Sequence, residues 1–179
     1  MAVSMKRILI IGCGGAGKST FAKKLSGILH HELIHLDMLY WKGNWIPTPS
    51  DTWTRIVRSV IKKREWIMDG NYSGTLPMRL KRADTVIYFD FPTVQCLWNA
   101  ALRVIKGRFL GARRSDVPET CRERFDLDFF SWIFNYNRKH RARFMALLSG
   151  HKNRKNIFII RGYAEANALL DRIGAMNGR

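Results

Sequence analysis

Residues 12–19 read Gly12-Cys13-Gly14-Gly15-Ala16-Gly17-Lys18-Ser19. This is G-x-x-x-x-G-K-[ST], the spacing of a loop that wraps a chain of phosphates. Glycines let the backbone turn with its N–H groups inward. Lys18 brings a point charge to the β- and γ-phosphates, and the Ser19 hydroxyl is a ligand for Mg²⁺. Gly12, Gly14, Gly15, Ala16, Gly17, Lys18, Ser19 and Thr20 are therefore the candidates for holding ATP. The flanks fit. Arg7-Ile8-Leu9-Ile10-Ile11 is a short apolar run of the buried-strand kind, and Phe21, Leu25, Ile28 and Leu29 follow at helical spacing. On this reading Lys18→Ala and Gly15→Val weaken ATP binding while the fold survives.

Two carboxylates stand where an open α/β sheet places ligand groups, at the carboxyl ends of strands. Asp69 closes Trp66-Ile67-Met68-Asp69. It either helps hold Mg²⁺ with Ser19 or is satisfied by the turn at Gly70. Asp37 closes His35-Leu36-Asp37. It either takes a proton from an acceptor hydroxyl or caps the following helical turn. Trp41 and Trp45 lie just beyond, able to stack on an acceptor ring or to fill an irregular loop. Asn71 and Tyr72 follow Asp69 and join them as candidate acceptor contacts. His35 reads as a packed or hydrogen-bonded residue, and His30 and His31 as surface residues. Arg108, Arg113, Arg114, Arg122 and Arg124 crowd the segment 107–126, with Arg103 leading in. Singly each reads as solvated surface. Together they read as a mobile lid that covers a transferring phosphoryl group, with Arg114 and Arg124 as the catalytic candidates.

Five strand-like runs must position these groups: 7–11, 33–36, 66–69, 85–89 and 156–160. Helical patterns alternate with them, which predicts a parallel sheet covered on both faces. Thr48-Pro49-Ser50-Asp51 reads as an N-cap with proline at N1, before a helix whose apolar face includes Trp53. Thr93 reads as a cap too, with Val94, Leu97, Trp98, Ala101, Leu102 and Ile105 turned inward and Gly107 as the stop. A longer helix covers about 127–149, and a last one about 164–173.

The 179 residues predict one domain, 1–179, with an acceptor-binding region near 37–65 and a lid near 107–126. No apolar run nears the roughly 18 residues of a membrane span, so no membrane partner is expected. A strand begins within a few residues of Met1, which argues against a signal peptide. Cys13, Cys96 and Cys121 are far apart in sequence and form no metal or disulfide pattern. These features point to the cytoplasm. Lys and Arg number 31 against 14 Asp and Glu, a net charge of +17. Residues 101–155 hold 14 basic and 5 acidic side chains of that total. Such a field favours phosphorylated partners and weak, nonspecific nucleic-acid binding.

The chain resembles the adenylate-kinase-related P-loop kinases, and within them the DNA topology modulation (FlaR-type) group. The resemblance spans nearly the whole chain. It rests on the phosphate loop, Leu36-Asp37…Trp41…Trp45, Trp66-Ile67-Met68-Asp69-Gly70-Asn71-Tyr72 and Ala83-Asp84-Thr85-Val86-Ile87-Tyr88. Arg114-Ser115-Asp116, Cys121-Arg122-Glu123-Arg124 and Asp126-Leu127-Asp128-Phe129 complete it. It implies a three-layer α/β/α P-loop NTPase fold with a five-stranded parallel sheet in the order 2-3-1-4-5, and a lid. Adenylate kinases carry Asp-Gly-Phe-Pro-Arg where this chain has Asp69-Gly70-Asn71-Tyr72-Ser73. Their acceptor-phosphate arginine is thus missing here, and Arg79 is the residue able to stand in from the next helix.

Two functions are expected from these readings. One is an ATP- and Mg²⁺-dependent phosphotransferase acting on a small acceptor: a nucleotide, a nucleoside or a small hydroxyl compound. The other is a nucleic-acid-binding P-loop ATPase that modulates DNA topology. Basic runs outside the lid, Lys62-Lys63-Arg64 and His151–Lys155, favour the second; the lid favours the first.

Overall fold

A computed structural model describes residues 5–151 and 153–177. Five parallel strands form its sheet: β1 (Arg7–Gly12), β2 (Leu33–His35), β3 (Trp66–Asp69), β4 (Thr85–Phe89) and β5 (Asn156–Ile160). Their order is 2-3-1-4-5, as expected. β1 lies in the middle, so Ile8, Leu9, Ile10 and Ile11 are fully buried. That explains its unbroken apolar run, since a strand covered on both faces cannot alternate.

Register aligns the chemistry. Ile10 of β1 pairs with Asp69, Asp69 with His35, and Gly12 with Phe89. The carboxyl ends of β1, β2 and β3 therefore open on one crevice. The helices α1 (Lys18–Leu29), α2 (Leu36–Tyr40), α3 (Ser50–Val60), α4 (Leu76–Arg82), α5 (Thr93–Phe109), α6 (Leu127–Tyr136), α7 (Ala142–Ser149) and α8 (Tyr163–Asn177) flank the sheet and complete the three layers. Among the described residues no helix is long and apolar enough to cross a membrane.

Several local expectations are corrected. Neither threonine caps its helix. Thr48 instead donates its hydroxyl to the Tyr40 carbonyl at 2.6 Å, tying the loop after α2 to the start of α3. Thr93 is the first residue of α5 and accepts from Asn137 Nδ2 at 3.2 Å. The long helix after 127 is interrupted by a π-helical turn, Asn137–Arg141. That turn has a use. Asn137 reaches the Phe91 carbonyl at 3.0 Å, and Arg141 forks onto buried Asp90 at 2.7 and 2.8 Å. α8 runs to Asn177, beyond the predicted end. His31 is half-buried, with Nε2 2.9 Å from the Met5 carbonyl oxygen.

Gly107 does not stop α5, which continues to Phe109. A Cβ at 107 would lie 2.7 Å from Glu123 Cβ, so the glycine makes room for the segment around Glu123 to pack on the helix. The inward face of α5 is also different. Cys96, Ala100 and Val104 are buried, while Val94, Trp98 and Ile105 point outward and are exposed. The helix is apolar on both sides, so periodicity alone picks the wrong face.

Candidate functional site

The loop after β1 is built by its glycines, each for its own reason. Gly15 (φ +78°) and Gly17 (φ +85°) take left-handed backbone. A Cβ on Gly15 would sit 2.2 Å from the Cys96 carbonyl oxygen. Gly15→Val therefore attacks the packing on α5 as well as the approach to phosphate, and it is no clean test of ATP binding. Gly12 packs on β4, where a Cβ would lie 2.5 Å from the Phe89 carbonyl oxygen. Gly12 and buried Ala16 shape the loop from beneath; Gly14, Gly15, Gly17, Lys18, Ser19 and Thr20 line the cavity.

Two asparagines pin this loop. Asn71 accepts from the Gly12 N–H at 3.0 Å and donates to its carbonyl at 2.6 Å. Asn99 donates to the Gly15 carbonyl at 2.8 Å. Asn71 lines the cavity as expected, but its amide is spent on the loop. Asn99 is missed by sequence reasoning, since an amide among the mixed apolar and basic residues of α5 carries no distinct signal. Lys18 Nζ donates to the Cys13 carbonyl at 2.8 Å, across the same loop. The Cys13 thiol is buried, and its pairing with Cys96, then burial itself, push it well above the usual thiol range. It is no nucleophile.

The carboxylate expected at the end of β3 is in place. Asp69 Oδ2 accepts from Ser19 Oγ at 2.6 Å and lies 3.2 Å from His35 Nδ1. Asp69 is buried, and its Oδ1 has no protein partner. The turn N–H groups do not satisfy it, because the Gly70 N–H goes to the Ile10 carbonyl. An unsatisfied buried carboxylate oxygen is costly. Beside a P-loop serine, it suits a hard divalent cation, so the residues present fit Mg²⁺.

Asp37 sits in the first turn of the short helix α2 rather than at the end of β2. It caps nothing. Its Oδ1 accepts from the Tyr72 hydroxyl at 2.6 Å, and its Oδ2 lies 3.6 Å from Arg114 Nη2. Burial raises the Asp37 carboxyl above its ordinary value, against the opposing pull of Tyr72 and Arg114. Burial and the charge of Asp37 in turn push the Tyr72 phenol above its usual range. Trp41 and Trp45 stand on the same wall, their rings 5.5 Å apart edge to face. A two-residue antiparallel ladder, Trp41–Lys42 against Ile46–Pro47, presents them.

The segment 107–126 folds onto this wall. Trp45 Nε1 donates to the Arg122 carbonyl at 2.9 Å, and Cys121 Sγ contacts the Lys42 carbonyl oxygen at 3.4 Å. Arg114 faces the cavity, but its fork is taken: Asp116 at 2.9 and 2.7 Å, Glu123 at 3.2 Å. Burial alone would lower the Arg114 pKa; hydrogen bonds and charge from Asp116, with Glu123 and Asp37, raise it. Burial likewise works against Asp116, but Arg114 outweighs it and holds that carboxyl below the usual range. The contribution of this pair to stability is therefore present above the ordinary aspartate pKa and lost as pH falls below it. Arg124 also lines the cavity and is more open, with one contact to Asp126 at 3.4 Å.

Arg79 is not an acceptor residue. It is fully buried, and it donates to the backbone carbonyls of Gly70 at 3.0 Å, Tyr72 at 2.8 Å and Asn71. Burial lowers its pKa to about 9, so it stays charged at neutral pH. It holds the 70–72 loop that carries Asn71 and Tyr72 into the site. Arg79→Leu strands these carbonyls, and the expected loss of stability is about 3 kcal/mol or more. An unchanged midpoint in urea denaturation would contradict this role.

One cavity of about 820 Å³ joins these groups, lined by Lys18, Ser19 and Asp69 together with Asp37, Trp41, Trp45 and Tyr72. That volume suits a nucleotide beside a small second substrate. Phe129 and Trp132 of α6 form a further wall, stacked at 5.9 Å. A Cβ on Gly14 would meet them at 2.9 and 3.1 Å. Neither is a site candidate by sequence, and only the fold brings them to the phosphate loop.

No protein-family model matches the chain, and no curated protein matches it in sequence. Solved structures do match in fold. Shikimate kinase from Acinetobacter baumannii, in complex with shikimate, aligns with a TM-score of 0.58 at 17% identity, over 97% of this chain and 93% of that one. The Aquifex aeolicus shikimate kinase aligns at 0.55 and 16% identity, covering 96% and 95%. The Bacteroides thetaiotaomicron enzyme aligns at 0.54 and 16%, covering 98% and 100%. At such identities the likeness establishes the fold alone, a three-layer α/β/α arrangement around a five-stranded parallel sheet.

Proposed function

We propose that the protein is a phosphotransferase that moves the γ-phosphoryl group of Mg·ATP to a hydroxyl of a small acceptor. One observation carries this reading: a phosphate loop with an unsatisfied buried carboxylate oxygen and a second, hydroxyl-tethered carboxylate line one cavity. The shikimate-kinase likeness and the motif resemblance to adenylate-kinase-related proteins agree with it. Membership of the FlaR-type group rests on those motifs alone. The cavity is too small for duplex nucleic acid, which disfavours a DNA-dependent ATPase.

The residues divide the work as follows. Gly14, Gly15 and Gly17 present backbone N–H groups to the donor phosphates, and Lys18 and Arg124 offset their charge. Ser19 and Asp69 would hold Mg²⁺, with His35 orienting Asp69. When bound, the ion neutralises charge on the β- and γ-oxygens. Asp37 accepts the acceptor's hydroxyl proton, and its raised pKa makes it a stronger base than an ordinary aspartate. Tyr72 and Arg114 hold the Asp37 carboxylate in place. A phosphate acceptor would meet repulsion at Asp37 and find the Arg114 fork committed.

A screen of nucleosides, nucleotides and small alcohols for acceptor-dependent ADP release tests this function. Release with a hydroxyl compound is expected; release with AMP alone, or with DNA alone, contradicts it. Asp69→Asn is expected to raise the Mg²⁺ concentration for half-maximal rate by about 10- to 100-fold, with ATP binding less affected. An unchanged Mg²⁺ titration would reduce Asp69 to a turn residue.

A further inference from the structure

α5 has a second apolar face that is largely uncovered among the described residues, only Leu102 being half-buried beside Ala112 and Arg113. Val94, Trp98, Leu102, Ile105 and Phe109 recur every three or four residues, which places them on one stripe. Trp98 is 65% exposed and Phe109 73%. Leu110, just past the helix, extends the stripe at 75%. The opposite side of the same helix is the working side. Its Cys96 backbone abuts Gly15, and Asn99 and Arg103 line the cavity. The outward stripe therefore has no part in the site.

Its borders are basic. Lys106 and Arg108 are exposed beside it, and α5 contains no acidic residue. A basic helix with tryptophan, phenylalanine and aliphatic side chains along one face is the pattern of segments that lie in a membrane interface. We propose that the outward face of α5 docks this protein on an anionic lipid surface. Trp98 and Phe109 enter the boundary between headgroups and acyl chains. Lys106 and Arg108 keep their ammonium and guanidinium groups among the lipid phosphates, their stems covering the edge of the stripe.

Two features favour lipid over a second copy of the chain. Both copies would carry +17, with Lys106 and Arg108 brought face to face in a symmetric contact. The stripe is also small. Its few exposed side chains alone offer less than the roughly 800 Å² per partner of a stable complex. Lipid needs no such area, because surface charge adds to the apolar term. The aliphatic members, Val94, Ile105 and Leu110, suit acyl chains and offer nothing to nucleic acid.

Co-sedimentation of the full chain with vesicles tests the proposal. Binding is expected with phosphatidylcholine–phosphatidylglycerol vesicles and not with phosphatidylcholine alone. Trp98→Ser with Phe109→Ser is expected to lower the partition coefficient about tenfold or more. ATP binding should be unchanged, since neither side chain lines the cavity. Lys106→Glu with Arg108→Glu should lower it by about tenfold or more as well. Brominated lipid should quench tryptophan fluorescence in the wild type and much less in Trp98→Phe, which still binds. Equal anionic-vesicle binding by the Ser variant would mean charge alone is at work and overturn the proposal. So would a wild-type dimer that this variant dissociates, or duplex DNA binding that it abolishes.

Discussion

Lys18→Ala is expected to lower kcat/KM for Mg·ATP by about 10²–10³-fold, with an ATP affinity loss measurable by calorimetry. The side chain is a half-buried cation whose one protein hydrogen bond, to the Cys13 carbonyl, lies within the phosphate loop. Removing it deletes charge at the β- and γ-phosphates and little else. Alanine is a good first residue for α1, so the melting temperature should shift by only a few degrees. This makes Lys18→Ala a cleaner probe than Gly15→Val, whose side chain would strike the Cys96 carbonyl. Unchanged ATP affinity in a folded Lys18→Ala protein would sink the phosphate-loop assignment.

Asp37→Asn should cost about 10²–10⁴-fold in kcat and leave ATP binding intact. An amide cannot accept the acceptor's proton, yet it can still accept from the Tyr72 hydroxyl, so the geometry survives. The raised Asp37 pKa fixes two signs. The acid limb of the wild-type rate profile should lie above the ordinary aspartate pKa and disappear in the variant. The fold disfavours the ionised form, so Asp37 costs stability once pH rises above its unfolded value, most fully above its raised folded value. Asp37→Asn is thus expected to be less active and, at neutral pH, at least as stable. A drop in melting temperature, with kcat unchanged, would make Asp37 a structural residue only.

Much of the site is legible in the sequence because backbone and spacing decide it. The phosphate loop needs its glycines at fixed offsets, and a buried parallel strand needs an unbroken apolar run. Those two demands mark the five strands of the sheet and place Asp69, although Leu36, expected in the second strand, opens α2 instead. What the sequence hides are side-chain choices made across long separations. Asn71 and Tyr72 sit side by side, yet one binds Gly12 and the other Asp37. Arg79 reads as a ligand arginine until the fold surrounds it with carbonyls. Arg114 reads as a phosphate arginine, but Asp116 and Glu123 occupy its fork. On α5 periodicity finds a helix but cannot choose between two apolar faces, and Gly107 looks like a stop because Glu123 is invisible from within the helix.

Identifying the product of the phosphoryl group is the most direct test. With an acceptor from the screen and Mg·ATP, ³¹P NMR should show a phosphate monoester forming on an acceptor hydroxyl. Little free phosphate should appear. Asp37→Asn should slow the monoester by about 10²-fold or more. Duplex or single-stranded DNA should change neither rate at physiological salt. Free phosphate as the sole product, stimulated by DNA and indifferent to Asp37→Asn, would contradict the account.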